Sequence, residues 1–231
     1  MTRPSLEVFV RSQVDAHRSD SGAPRLRFSL AGRSCPREIV YYVTQASRAE
    51  DAPHARIKMA LGSAFDAYTL RGVGNVVAQM PARIEIGGVV LTGRADAVFV
   101  EGGRPALVSD LKVVGDRTWA DVEKEPKDEH RAQVNLYAYA LDAPEWSVLY
   151  VHASTGEMRE HFRELDVYQA RRDLGLFEEA QYWLKRGEVP PRPFEDYEDD
   201  ETGKVDLARD RVPCRWCSYR AVCWGSEEKT T

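Results

Sequence analysis

The residues with the clearest chemical potential are Asp96, Asp110 and Lys112, set in Gly93-Arg94-Ala95-Asp96 and, thirteen residues further on, Asp110-Leu111-Lys112. Side chains alternate along a strand, so Asp110 and Lys112 point to one side and Leu111 is expected to point into the core. With Asp96 on a neighbouring strand, a second carboxylate reaches the same face. Two converging carboxylates suit a hard cation such as magnesium. Such a cation polarises a phosphodiester and lowers the pKa of a bound water, while Lys112 positions that water or meets charge developing on the phosphate. The same residues also read as turn or edge acids and a snorkelling lysine, because D-x(n)-D-x-K is short and degenerate. Their surroundings favour the site: Ala95, Ala97, Val98 and Phe99 flank one acid, and Leu107, Val108, Leu111, Val113 and Val114 the other. An unpaired charge there is expensive.

Gln133 and Tyr137 stand four apart on an expected helix and so share a face, although Tyr137 also reads as a core aromatic. Asp66 lies one turn beyond Gly62 in Leu61-Gly62-Ser63-Ala64-Phe65-Asp66; taken alone it is an ordinary helical acid. Four cysteines, Cys35, Cys214, Cys217 and Cys223, suit zinc or an iron-sulfur cluster, and the C-x2-C spacing is common to both. Three of them crowd near the C-terminus, so a ligand shared with Cys35 would staple distant segments together.

These residues need elements to position them. Helical periodicity predicts helices over 4–18, 34–48 and 53–71. After Gly74 the period shortens, and Ile84 with Ile86, Val89–Leu91, Ala95–Val100 and Ala106–Val113 read as a strand meander broken by Gly87-Gly88 and Gly102-Gly103. A helix over 127–142, strands near 146–152 and 157–164, and a long amphipathic helix over 166–187 follow. Pro190, Pro191 and Pro193 then end regular structure, and an acidic loop leads to the cysteines. The order predicts a mixed α/β domain around one sheet.

With 231 residues and 43% apolar content the chain buries a core of its own. No apolar run suggests a leader or a membrane span, which makes the cytoplasm the expected location. The net charge of −5 argues mildly against wholesale nucleic-acid binding. Arg25, Arg27, Arg33 and Arg37, and again Arg209, Arg211, Arg215 and Arg220, nevertheless form basic clusters beside an acidic run at 195–201. They read equally as solvated surface charge or as a basic groove. No G-x4-G-K-[ST] loop, H-E-x-x-H helix or G-x-S-x-G elbow occurs, which excludes a P-loop motor, a zincin and an α/β-hydrolase.

Taken in order, a cysteine (Cys35), a Gly-rich helix motif (Gly62 to Asp66), G-x-x-D (Gly93 to Asp96), D-x-K (Asp110 to Lys112), Q-x-x-x-Y (Gln133 to Tyr137) and C-x2-C-x5-C (Cys214, Cys217, Cys223) resemble the PD-(D/E)xK nuclease superfamily. The resemblance is to its RecB-like branch with an iron-sulfur cluster, which includes AddB-type and Cas-four-type exonucleases, and it runs from about residue 34 to 223. It implies a restriction-endonuclease-like mixed sheet flanked by helices, in a single nuclease domain over 1–231. The core would lie at about 53–187, with cluster-binding segments around 35 and 214–223. It further implies Mg2+ or Mn2+ on Asp96, Asp110 and the backbone carbonyl of Leu111, with Lys112 catalytic and Gln133 and Tyr137 orienting the site or the DNA backbone. Asp66 stands where many relatives have His, and a metal role for it bears on metal preference. The four cysteines would hold a [4Fe-4S] cluster, with Zn2+ as the alternative. The implied activity is a DNA exonuclease favouring single-stranded ends, in recombination, repair or phage DNA processing, with a helicase, recombinase or integrase as partner. The alternative is a CRISPR-adaptation-type DNA-processing or DNA-binding module acting with an integrase or helicase.

Overall fold

The computed structural model describes residues 25–33, 35–46, 74–195, 197–198, 205–206 and 214–225. The helices expected over 4–18 and 53–71 lie outside these residues. Three strands form an antiparallel meander: β1 (Val76–Ile86), β2 (Val89–Glu101) and β3 (Arg104–Val114). Its turns are the two Gly-Gly pairs. All four glycines have positive φ (56°, 78°, 55° and 80°), as two-residue hairpins require for the strand twist to continue through the turn. Val89–Leu91 and Ala95–Val100, expected as separate strands, are one strand here, and Pro81 sits in β1, the edge strand, where its missing N–H costs nothing.

After β3 the chain makes a short helix, α2 (Asp116–Asp121), then α3 (Asp128–Leu141), and returns as β4 (Glu145–His152), parallel to β3. The strand β5 (Met158–Glu164) pairs antiparallel with β4 and completes a five-stranded sheet in the order β1-β2-β3-β4-β5. The helix α1 (Pro36–Val43) precedes the sheet and α4 (Val167–Arg186) follows it. Helices thus flank a mixed sheet, in a restriction-endonuclease-like arrangement. α1 is shorter than the expected 34–48 because Cys35 is extended and Gln45 turns left-handed (φ 55°). The stretch expected as an acidic loop contains a small antiparallel pair, β6 (Tyr197–Glu198) with β7 (Val205–Asp206), in which the β-formers Tyr197 and Val205 stand among the acids. A five-residue helix, α5 (Arg220–Trp224), lies near the C-terminus.

Two helices fix the sheet's covered side. α3 starts with Asp128 and Glu129, which complement its dipole, and ends on Asp142 in the left-handed region with Ala143 N–H bonded to the Ala138 carbonyl at 3.0 Å. α4 is capped by Asp166, whose side chain accepts the Gln169 N–H at 2.8 Å, and ends at Gly187 (φ 67°). Its buried stripe is Ala170, Leu174, Phe177 and Ala180. The two are tied at one point: the amide of the fully buried Asn135 on α3 donates to the Asp166 carbonyl at 2.8 Å and accepts the Asp166 N–H at 2.9 Å.

The core corrects one expectation. Leu111 was expected to face it; instead Val108, Val114 and Asp110 lie on the buried, α3 side of β3, and Leu111 is half-buried on the other. The acid, not the leucine, occupies the core position. Among the described residues no helix is long and apolar enough to cross a membrane.

Candidate active site

The ladder between β2 and β3 ends at Ala97 opposite Ser109, while β3 continues beside β4 as far as Val114 opposite His152. The two strands therefore part just where Asp96 and Asp110 stand. The segment around Arg27 enters the fork: Arg27 bridges Thr92 in parallel, and the Thr92 N–H reaches the Leu26 carbonyl at 3.4 Å. Asp96 supplies what the lost ladder would have supplied, its Oδ2 accepting the Leu111 N–H at 3.0 Å. The N–H and C=O of a strand residue leave on the same edge, so the Leu111 carbonyl also faces the fork. The other oxygen of Asp96 accepts the Gln79 side-chain amide at 3.2 Å.

Asp110 is 2% exposed. Its Oδ1 accepts the Gln133 side-chain amide at 3.2 Å, and the Lys112 ammonium lies 2.8 Å from its Oδ2. That ion pair is not aligned as a hydrogen bond, and Oδ2 is a buried oxygen with no hydrogen-bond partner. Burial pushes the Asp110 carboxyl up to about 7; Lys112 opposes the rise and Asp96 adds to it. A buried carboxylate whose Oδ2 is met by an ammonium rather than by a hydrogen bond, beside a second carboxylate, is a donor set that fits a divalent cation. Among the described residues no three His, Cys, Asp or Glu side chains gather closely enough to hold a metal ion, and Asp66, the third expected acid, lies outside those residues.

Gln133 and Tyr137 both project from α3 toward this corner. Tyr137 is buried and stacks on Phe28 with centroids 4.4 Å apart. Its hydroxyl takes the backbone N–H of Arg94, and burial, then Asp110 and Asp96, hold its proton on more tightly than in water. A Cβ on Gly93 would collide with that hydroxyl and come within 3.0 Å of the Phe28 ring, which is why G-x-x-D opens on glycine.

Sequence reasoning missed several neighbours. His130, one turn before Gln133, places Nδ1 2.8 Å from the hydroxyl of Tyr150, which also accepts the Lys127 N–H at 3.1 Å. Burial, then the nearby Lys112 and Lys127, drive the imidazole down to about 3, so it is neutral. With Tyr150 giving its proton to Nδ1, the ring proton is assigned to Nε2. Arg27, Ser29, Thr92, Gly93, Arg94 and Tyr137 line an open cavity of about 560 Å³ beside the fork. Neither guanidinium forms an ion pair with a described residue, whereas Arg33, Arg83, Arg131, Arg163 and Arg186 all do. The only signal for Arg27 was its place in a basic cluster, and Arg94 was an unassigned position inside G-x-x-D. Gln79 gave no signal.

The four cysteines are half-buried, form no disulfide and lie in a different corner. Cys35 precedes α1, Cys214 begins a single turn of 3-10 helix, and Cys223 lies on α5. The two ends of the described chain meet there. Tyr41 of α1 packs on Tyr219 with centroids 5.7 Å apart, and Arg192 donates to the Cys223 carbonyl at 2.6 Å while lying 4.3 Å over the Trp224 ring. Cys217 accepts the Tyr219 N–H at 3.4 Å. Burial raises the Cys217 thiol to about 11, with Glu38, Cys35 and Cys214 adding to the rise, and burial also raises Cys35. Their donor type suits a thiolate-bound metal or cluster, but among the described residues, which include all four, no three such side chains gather closely enough to hold a metal ion.

A family model described as the PD-(D/E)XK nuclease superfamily matches residues 15–224. A search of curated proteins found no match. Among solved structures the chain is similar to the crystal structure of SSO0001, at 18% identity and TM-score 0.61, covering 98% of this chain and 100% of that one. It is also similar to LHK-Exo, an alkaline exonuclease from Laribacter hongkongensis, in complex with dAMP (12% identity, TM-score 0.47, 66% and 78% covered). A third is a phage related exonuclease from Haemophilus somnus 129PT (11% identity, TM-score 0.47, 71% and 96% covered).

Proposed function

The chain belongs to the PD-(D/E)XK nuclease superfamily, and from that premise we propose that it is a divalent-metal-dependent DNA exonuclease acting at single-stranded ends. One observation carries the reading: Asp96, Asp110 and Lys112 meet at the strand fork, with a buried Asp110 oxygen left without a hydrogen bond. Asp96, Asp110 and the Leu111 carbonyl would hold Mg2+ or Mn2+, with Asp66 as a further ligand. Bound there, the cation would supply Lewis-acid polarisation of the phosphodiester and a more acidic water.

The chain's own residues supply the rest. Lys112, its side chain 24% exposed, reaches from Asp110 toward solvent, where its ammonium can meet charge developing on the phosphate. Gln133 keeps Asp110 in place, and Tyr137, which holds its proton, orients rather than ionises. Arg27 and Arg94, with no ion-pair partner among the described residues, offer the adjoining phosphate two cations. A basic cavity on a chain of net charge −5 is the local groove that such a substrate requires.

The same reading assigns the whole of 1–231 to one nuclease domain and a [4Fe-4S] cluster to Cys35, Cys214, Cys217 and Cys223, as a clasp with no part in hydrolysis. Recombination, repair or phage DNA processing is the setting, with a helicase, recombinase or integrase as partner. Purified protein incubated with end-labelled single-stranded and duplex DNA, with and without magnesium or manganese, tests it. Progressive metal-dependent shortening of the single strand is expected. DNA left intact under every condition would sink the enzyme reading in favour of a DNA-binding module that acts through an integrase or helicase.

A further inference from the structure

We propose that Gln79 is a positioning residue for the candidate metal site, its strained backbone serving to hold the Asp96 carboxylate. The inference rests on the reading of Asp96 as a metal ligand and adds to it a residue in none of the sequence motifs. Gln79 lies in the middle of β1 with φ 52°, in the left-handed region, although glutamine, unlike Gly or Asn, has no preference for it. The ladder is regular on both sides, Ala78 opposite Ala97 and Met80 opposite Ala95, so the departure is confined to the one residue facing Asp96. Single-residue departures of this kind re-aim a side chain, and a backbone held against its preference calls for a reason.

The reason lies in where the amide goes. It donates to Asp96 Oδ1 at 3.2 Å, while the Leu111 N–H takes Oδ2 at 3.0 Å. Both oxygens of Asp96 are thereby pinned by neutral donors, each keeping a lone pair for a cation. Asp110 has the matching arrangement, a carboxamide from Gln133 at 3.2 Å. An amide orients a carboxylate without cancelling its charge. A lysine or arginine at position 79 would orient it equally well and compete with the cation. Gln79 is exposed and would lose little by hydrating its amide, so the contact is not needed to hold the sheet together. Partners that orient ligands to a metal change its affinity by about tenfold or more when removed.

The test uses the full chain, Mn2+ alone as the probe, and two readouts: Mn2+ affinity by titration calorimetry and the metal-free melting temperature. Gln79→Gly loses the amide but adopts positive φ freely. It should bind Mn2+ about tenfold more weakly while melting at the same temperature as the parent or higher. Gln79→Ala, which keeps the strain and loses the amide, should lose the same affinity and melt below Gln79→Gly. Gln79→Lys should bind Mn2+ more weakly than either. Parental Mn2+ affinity in Gln79→Gly, or a melting temperature that falls along with affinity in that variant, would overturn the positioning role. Asp96→Asn is the control for the premise: if it leaves Mn2+ affinity unchanged, Asp96 is not a ligand and the site reading itself fails, whatever Gln79 does.

Discussion

The carboxylate fork and the cysteine corner are built in opposite ways. At the fork the acids, the lysine and their polar partners hang from long regular elements: Asp96 and Gln79 from paired strands, Asp110 and Lys112 from a strand flanked by β4, Gln133 and Tyr137 from a 14-residue helix pinned through Asn135. At the cysteine corner Cys35 precedes an eight-residue helix, Cys214 begins one turn of 3-10 helix that Cys217 follows, and Cys223 sits on a five-residue helix. Helices that short are marginal without tertiary support: α1 has Ile39 and Val40 in the core, whereas the described contacts around the other two segments include Tyr219 against Tyr41 and Arg192 on the Cys223 carbonyl. One region is shaped by the fold before any ligand arrives. The other has thiols whose burial favours the protonated form, and it would gain order if a ligand replaced those protons. The proposed chemistry calls for the first kind of site, and the proposed clasp would be served by the second.

The sharpest way to break this contrast is at the fork. Lys112→Ala and Asp110→Ala should each cost about 100-fold or more in cleavage rate with the circular dichroism spectrum unchanged, because the sheet and α3 do not depend on them. A Lys112→Ala protein with near-parental turnover would remove its catalytic role. At the other corner the effect should fall on stability. Anaerobically purified protein should be brown with about four irons per chain, and Cys217→Ser should lose colour and about 10 °C of melting temperature together, keeping activity as far as it keeps its fold. Colourless protein carrying one zinc would replace the cluster but keep the contrast. Cys35→Ser protein as brown and as stable as its parent would dissolve the clasp.

A smaller effect sharpens the chemistry of the fork. Asp110 sits near 7 because burial disfavours its charge, so a cation must displace a proton at and below that pH. Mn2+ affinity measured by calorimetry should therefore fall by up to about tenfold per pH unit below about pH 7 and level off above it. His130, driven down to about 3, stays neutral throughout this window. His130→Gln should leave the pH midpoint where it is, and a midpoint that moved with His130 would assign the titration to the wrong residue.

Much of the scaffold was legible because its signals are local. The Gly-Gly pairs mark both hairpins, and the helical period brackets 128–141 and 167–186 to within a residue at each end. The D-x-K alternation places Asp110 and Lys112 on one side of β3. What was not legible depends on strands far apart in the chain. Nothing near Asp110 announces that β2 leaves β3 at this point, so the inward side of β3 was assigned to Leu111. Arg27 and Arg94 look like ordinary surface charge until the fork brings them to one cavity. Gly93 looks like a turn signal until Tyr137, 44 residues later, arrives against it. Gln79 is a polar residue on an edge strand, and its left-handed backbone leaves no trace in composition.

The fork has a consequence for self-association. Where two strands separate, their facing edges keep N–H and C=O groups that can template pairing with another chain. In this fold the Asp96 carboxylate occupies the Leu111 N–H, and the segment around Arg27 lies along β2 at Thr92. Both features also discourage an intruding strand, one by its negative charge and one by filling the place such a strand would take. The arrangement that readies two acids for a cation thus also keeps an opened sheet from recruiting a second copy of itself.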